Sequence, residues 1–167
     1  RAVLSTGETI VAERCLIAVG LRPNSHGLGL EGLGIGTDGG VDVDDYLLGR
    51  QPHVAAIGDC LAGHGLAHWA SAEGVLAVHN LCSEERTSRQ TLLIPRCIFT
   101  DPEVAHVGLV ESAAPPTARV SRCSFGALGK SLCDDEPEGF VKLVVEAETD
   151  RVLGATIIGA QASTLIH

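Results

Sequence analysis

The sequence predicts an α/β segment over residues 1–90 followed by an α+β domain with an antiparallel sheet over residues 91–167. Three observations predict this order. An apolar run, His53–Ile57, ends in Gly58-Asp59, passes a glycine-rich turn at Ala62–Gly65 and enters a helical stretch from Leu66 to Cys82, the strand–turn–helix sequence of open α/β folds. A polar run, Ser83–Gln90, then interrupts the hydrophobic pattern and marks a domain boundary. Finally, Gly139–Glu146 and Val152–Ile158 flank the polar turn Glu148–Arg151 as a hairpin, with Val141, Leu143 and Val145 on one face.

Along the chain, Val3-Leu4, the turn Thr6–Glu8 and Ile10-Val11 predict a short hairpin, and Cys15–Val19 reads as a buried strand. Glycine density from Arg22 to Gly40 predicts an irregular connection. Within it, Gly27–Gly32 spells GxGxxG. That fingerprint binds a pyrophosphate only between a strand and the helix that it opens, and here Pro23-Asn24-Ser25 precedes it and more glycine follows, so it reads as a loop. Alternation over Val41–Tyr46 suggests an edge strand or extended arm, and His53–Ile57 a short strand. In the helix, positions 66, 69, 70, 77 and 81 form the apolar face expected to pack inward, with Glu73 and Asn80 elsewhere. Beyond the boundary, Leu92–Ile94, Cys97–Thr100 and Val104–Val107 suggest strands broken by a turn. Pro115-Pro116 should unwind a helix over 111–118, Arg119–Ser124 suggests a strand, and Gln161–Ile166 a helical turn.

Composition excludes several classes. The 167 residues contain no methionine, so the chain is expected to be a fragment or a processed piece. A net charge of −9, with no Lys/Arg stripe, argues against a nucleic-acid partner. No apolar run is long enough for a membrane-spanning helix, and the 45% hydrophobic content argues against disorder. The six cysteines form no CxxC pair and read as reduced thiols of a cytoplasmic protein. His64 and His68 are four apart, a spacing that could hold a metal, but no third ligand stands beside them, so no metal site is expected.

Four segments, in order, resemble the pyridine nucleotide-disulfide oxidoreductases, flavoenzymes that include dihydrolipoyl dehydrogenase and mercuric reductase. Cys15–Asn24 is similar to the strand and loop leaving the NAD(P) domain; Val54–Asp59 with Leu66–Gly74 to the second FAD-contacting motif; Ile94-Pro95 with Phe99–Gly108 to the opening of the interface domain; and Glu138–Lys142 with Thr149–Ala155 to its central hairpin. The resemblance implies a C-terminal fragment that divides into the tail of the NAD(P)-binding domain (1–24), an FAD-contacting central segment (25–90) and a dimerisation domain (91–167). The fold it implies is the end of an FAD/NAD(P)-binding Rossmann-like region followed by that interface domain.

The same resemblance assigns roles. Asp59 would accept a hydrogen bond from a ribityl hydroxyl of FAD, and Gly58 would allow close backbone approach. Leu66, Ala67 and His68 would open a helix against the flavin pyrimidine edge, where the positive end of the helix dipole favours negative charge. FAD and NAD(P) are the implied cofactors, a second copy of the chain the implied partner through residues 92–167, and a disulfide or metal the substrate of the full enzyme. The family's redox cysteine pair, its nucleotide phosphate loops and its acid–base histidine are not recognised in this sequence, so no catalytic residue is assigned and the chain alone is expected to be inactive. The rival reading is a dimerisation module that works without flavin.

Overall fold

The computed structural model describes residues 1–63 and 65–167. His64, one of the histidines weighed as a metal pair, lies outside the described residues. The chain opens with β1 (Ala2–Val3) and β2 (Thr9–Ile10), paired antiparallel as expected. Cys15–Val19 departs from expectation. It joins no ladder, and its apolar side chains are open, Leu16 at 90% and Val19 at 92% exposure. A strand is held by the N–H and C=O groups of its neighbours, and among the described residues none lies alongside this run. The glycine-dense connection is irregular apart from a 3₁₀ turn at Leu30–Leu33, bracketed by left-handed Gly29 and Gly34. No α-helix opens behind the GxGxxG, in keeping with its reading as a loop.

The first core is built from loops rather than strands. Ile35, Val41, Leu47 and Leu61 pack against Leu76 and Ala77 of α1 (Ala67–Cys82). The strands expected at 41–46 and 53–57 shrink to one antiparallel bridge, Leu48 to Ala55. The cause is local. Asp44 Oδ1 accepts the N–H groups of Tyr46 and Leu48, both at 2.9 Å, and curls the chain into a turn where a ladder would need it straight.

Helix α1 forms where the periodicity places it, and Ala77 is buried with Leu66, Trp69 and Ala70 partly so, as expected, but the inward face also takes in two polar residues and leaves out Leu81. Glu73 and Asn80, expected outside, are 3% and 1% exposed, whereas Leu81 is 42% exposed. Burial is possible because both polar side chains are hydrogen-bonded. Asn80 Nδ2 donates to the carbonyls of Tyr46 and Thr87, and its Oδ1 accepts the Thr87 N–H. The polar run 83–90 is thereby stitched back to the first core, aided by Arg89 N–H donating to Asp45 O; Leu92 packs on the same cluster.

The second half carries a five-stranded antiparallel sheet: β3 (Arg96–Ile98), β4 (Glu103–Gly108), β5 (Ala118–Ser124), β6 (Phe140–Glu146) and β7 (Val152–Gly159), ordered β3-β4-β7-β6-β5. Its register aligns Cys97, Ala105, Ile157 and Val141 in one row across four strands. That row meets Phe125 and Ala162 to form the second core. Ala162 begins α3 (Ala162–Leu165), which docks on β4 where Glu103 Oε2 accepts the Ser163 N–H at 2.9 Å. A short helix, α2 (Gly129–Cys133), lies in the β5–β6 connection, and Glu111–Ala113 forms only a single 3₁₀ turn before Pro115, as the prolines predict. The expected common face of Val141, Leu143 and Val145 is broken by a β-bulge between Val144 and Val145, and Val144 becomes the most buried residue of the strand, at 2% exposure.

Candidate functional site

The site is assembled where the 53–57 segment ends. Gly58 has φ +65°, a conformation costly to any residue with a Cβ, and a Cβ there would stand 2.8 Å from Ala70 Cβ on α1. Glycine thus lets the chain turn sharply while touching the helix. The turn is a 3₁₀ helix over Gly58–Cys60, closed by Leu61 N–H donating to Gly58 O at 3.0 Å, and it leaves the Asp59 side chain exposed. Val41 N–H donates to Cys60 O at 2.8 Å, which brings the 39–42 loop against the turn. A cleft of about 450 Å³ opens here between Asp59, Gly39 and the Leu21–Asn24 loop.

Helix α1 starts at the same place. Its N-cap, Leu66, offers no side-chain acceptor, so the N–H groups of the first turn carry the positive end of the helix dipole without a capping oxygen. Gly58, Asp59 and Leu66 line one small pocket. Ala67 is exposed in the first turn. His68 behaves differently: its Nε2 lies 2.6 Å from Pro95 O, which can only accept, so the imidazole donates there, and its ring meets the edge of His167. Its side chain therefore ties the helix start to the segment entering β3 rather than facing the cleft.

One residue of the site, Glu73, is not evident from the apolar pattern. Glu73 Oε2 accepts the Gly58 N–H at 2.7 Å, and Glu73 Oε1 accepts Trp69 Nε1–H at 2.8 Å. The sequence signal is the helical spacing of Trp69, Glu73, Leu76, Ala77 and Asn80, which places the carboxylate on the buried stripe. Among the described residues no group of three potential ligands could hold a metal, and no helix is long and apolar enough to cross a membrane. All six cysteines are free thiols; burial, and secondarily the Glu103 charge, pushes the Cys97 thiol up.

Comparison with known proteins bears on this geometry. The profile of the pyridine nucleotide-disulphide oxidoreductase family matches residues 1–74, and that of the family's dimerisation domain matches residues 94–167. The chain belongs to the pyridine nucleotide-disulphide oxidoreductase family. Dihydrolipoyl dehydrogenase of Bacillus subtilis is 37% identical over 166 residues, covering 96% of this chain and 35% of its own length. The enzyme of Chlorobaculum tepidum is 40% identical over 166 residues, covering 97% and 35%. Among solved structures, LpdA from Mycobacterium tuberculosis superposes with a TM-score of 0.87 at 28% identity, covering 97% of this chain and 36% of its own. The chain spans about 35% of the length of the curated relatives it matches. Family and fold class thus agree with the sequence reading: the second half is the antiparallel α+β dimerisation domain, and the first belongs to the dinucleotide-binding part.

Proposed function

We propose that this chain works as part of a longer FAD-dependent, NAD(P)-linked oxidoreductase of the dihydrolipoyl dehydrogenase type, with residues 1–24 closing the NAD(P) domain, 25–90 contacting FAD and 91–167 joining a second copy of the chain. The observation that carries the reading is the exposed Asp59 carboxylate on a glycine turn, which borders both the cleft beside the Leu21–Asn24 loop and the small adjoining pocket at the uncapped start of α1. These residues fit FAD. An exposed carboxylate accepts from a polyol hydroxyl, Gly39, Gly63 and Gly65 leave the cleft wall bare for a flat or extended ligand, and free helix N–H groups suit an electron-rich edge. When bound, FAD supplies two-electron transfer between a nicotinamide and a disulfide.

The chain's own residues hold and bias that group. Asp59 anchors the ribityl chain, Gly58 sets the direction of the anchor, and the N–H groups of Leu66, Ala67 and His68 stabilise negative charge at the pyrimidine edge without reorganising. The His68 imidazole acts through its bond to Pro95, holding the helix start against the dimerisation domain. A disulfide is the substrate class favoured by the family's name, and the six free thiols favour the cytoplasm. The test is Asp59→Ala in the full natural polypeptide. Loss of a charge-assisted hydrogen bond, about 1.5–3 kcal/mol, should weaken FAD binding about tenfold to hundredfold, read as flavin lost on gel filtration. A colourless wild type would favour the flavin-free dimerisation module; equal flavin retention in the variant would remove the role of Asp59.

A further inference from the structure

Glu73 is a buried ionisable side chain in the first half that the cofactor-binding reading leaves without a task. At 3% exposure it sits under the candidate site, with each carboxylate oxygen committed to a different donor. One donor is the backbone of the glycine that precedes Asp59, and the other is the indole of Trp69, one turn back on the same helix. A buried carboxylate is costly unless its oxygens are hydrogen-bonded, so a side chain placed here is fixed by these two donors. The fixed group in turn fixes the turn. Gly58 at φ +65° has alternatives open to it that few residues share, and its N–H is the handle by which α1 selects one.

Resting on the FAD reading above, we propose that Glu73 is the positioning residue of the flavin site: its bidentate acceptance of Gly58 N–H and Trp69 Nε1–H sets the direction in which Asp59 is presented to the cleft. The chemistry makes carboxylate specific. A glutamine of the same shape has one acceptor oxygen and an amide that donates, so it satisfies Gly58 or Trp69 and turns N–H against N–H at the other. A phenylalanine at 69 removes the competing donor, after which the single oxygen of a glutamine at 73 suffices for Gly58.

The experiment uses the full natural polypeptide, stripped of flavin and titrated with FAD, and measures the dissociation constant alongside the thermal midpoint of the apoprotein. Glu73→Gln should weaken FAD binding about tenfold. The double variant Trp69→Phe/Glu73→Gln should recover to within about threefold of wild type, a rescue that lost packing alone would not produce. Asp59→Asn is titrated in parallel. If Asp59→Asn weakens FAD binding while Glu73→Gln leaves it within about twofold of wild type, or if the double variant binds as poorly as Glu73→Gln, the positioning role is overturned and the flavin site stands. If none of the variants alters FAD binding, the flavin reading itself falls. Should Glu73→Gln fail to fold, recovery of both folding and FAD binding in the double variant supports the proposal, and recovery of folding alone overturns it.

Discussion

Replacing Gly58 by alanine tests the geometry on which the site depends. Two costs can be worked from the structure. At φ +65° a residue with a Cβ adopts the left-handed region at about 1–2 kcal/mol. The new Cβ also stands 2.8 Å from Ala70 Cβ, well inside contact distance, and relief by shifting the turn or the helix costs about 1–3 kcal/mol. Gly58→Ala should therefore destabilise by about 2–5 kcal/mol, a large share of the roughly 5–15 kcal/mol that holds a typical domain. The two costs are separable. In an Ala70→Gly background, itself destabilised by about 1 kcal/mol because glycine sits in a helix, the clash is gone and Gly58→Ala should cost only the about 1–2 kcal/mol of the backbone. Equilibrium urea denaturation of the four proteins gives the coupling directly. A Gly58→Ala cost below about 0.5 kcal/mol, or an equal cost in both backgrounds, would refute the close contact between the turn and α1.

Other outcomes follow from the second half. The Ser163 backbone N–H holds the Glu103 carboxyl below its ordinary range, so docking of α3 gains support that is fully present above the ordinary carboxylate pKa and is lost as pH falls through the lowered one. Amide exchange at Ser163 should accelerate on acidification relative to neighbouring amides, and Glu103→Gln should remove that pH dependence; an unchanged profile in the variant would contradict the assignment. Self-association is expected through residues 92–167, where Phe99, Ile98 and Val152 are 72%, 58% and 57% exposed. Light scattering of the chain at micromolar concentration checks this, and a strict monomer would refute it.

Much of the second half is legible in the sequence because its signals are local. The β6–β7 hairpin follows from two apolar runs around a polar turn, and the unwinding after Glu111 follows from Pro115-Pro116. The Gly58-Asp59 junction and the start of α1 are likewise readable, since a glycine turn before a helix leaves its own residue pattern. The bulge at Val144/Val145 is not, because it depends on how β7 pairs across the sheet and not on the composition of β6.

In the first half the sequence by itself determined that residues 67–82 form an α-helix and that 22–40 do not, because backbone propensity and glycine entropy act within a few residues. Tertiary structure alone decided that two polar side chains join the inward face of that helix. Glu73 and Asn80 are polar and read as exposed, yet they are buried because Gly58, Tyr46 and Thr87 arrive from outside the helix to satisfy them, and a hydrogen bond between residues 15 or 34 positions apart leaves no periodicity behind. The same reason governs Cys15–Val19: its β-branched and apolar residues encode the capacity to be a strand, but a strand exists only where another backbone lies alongside it.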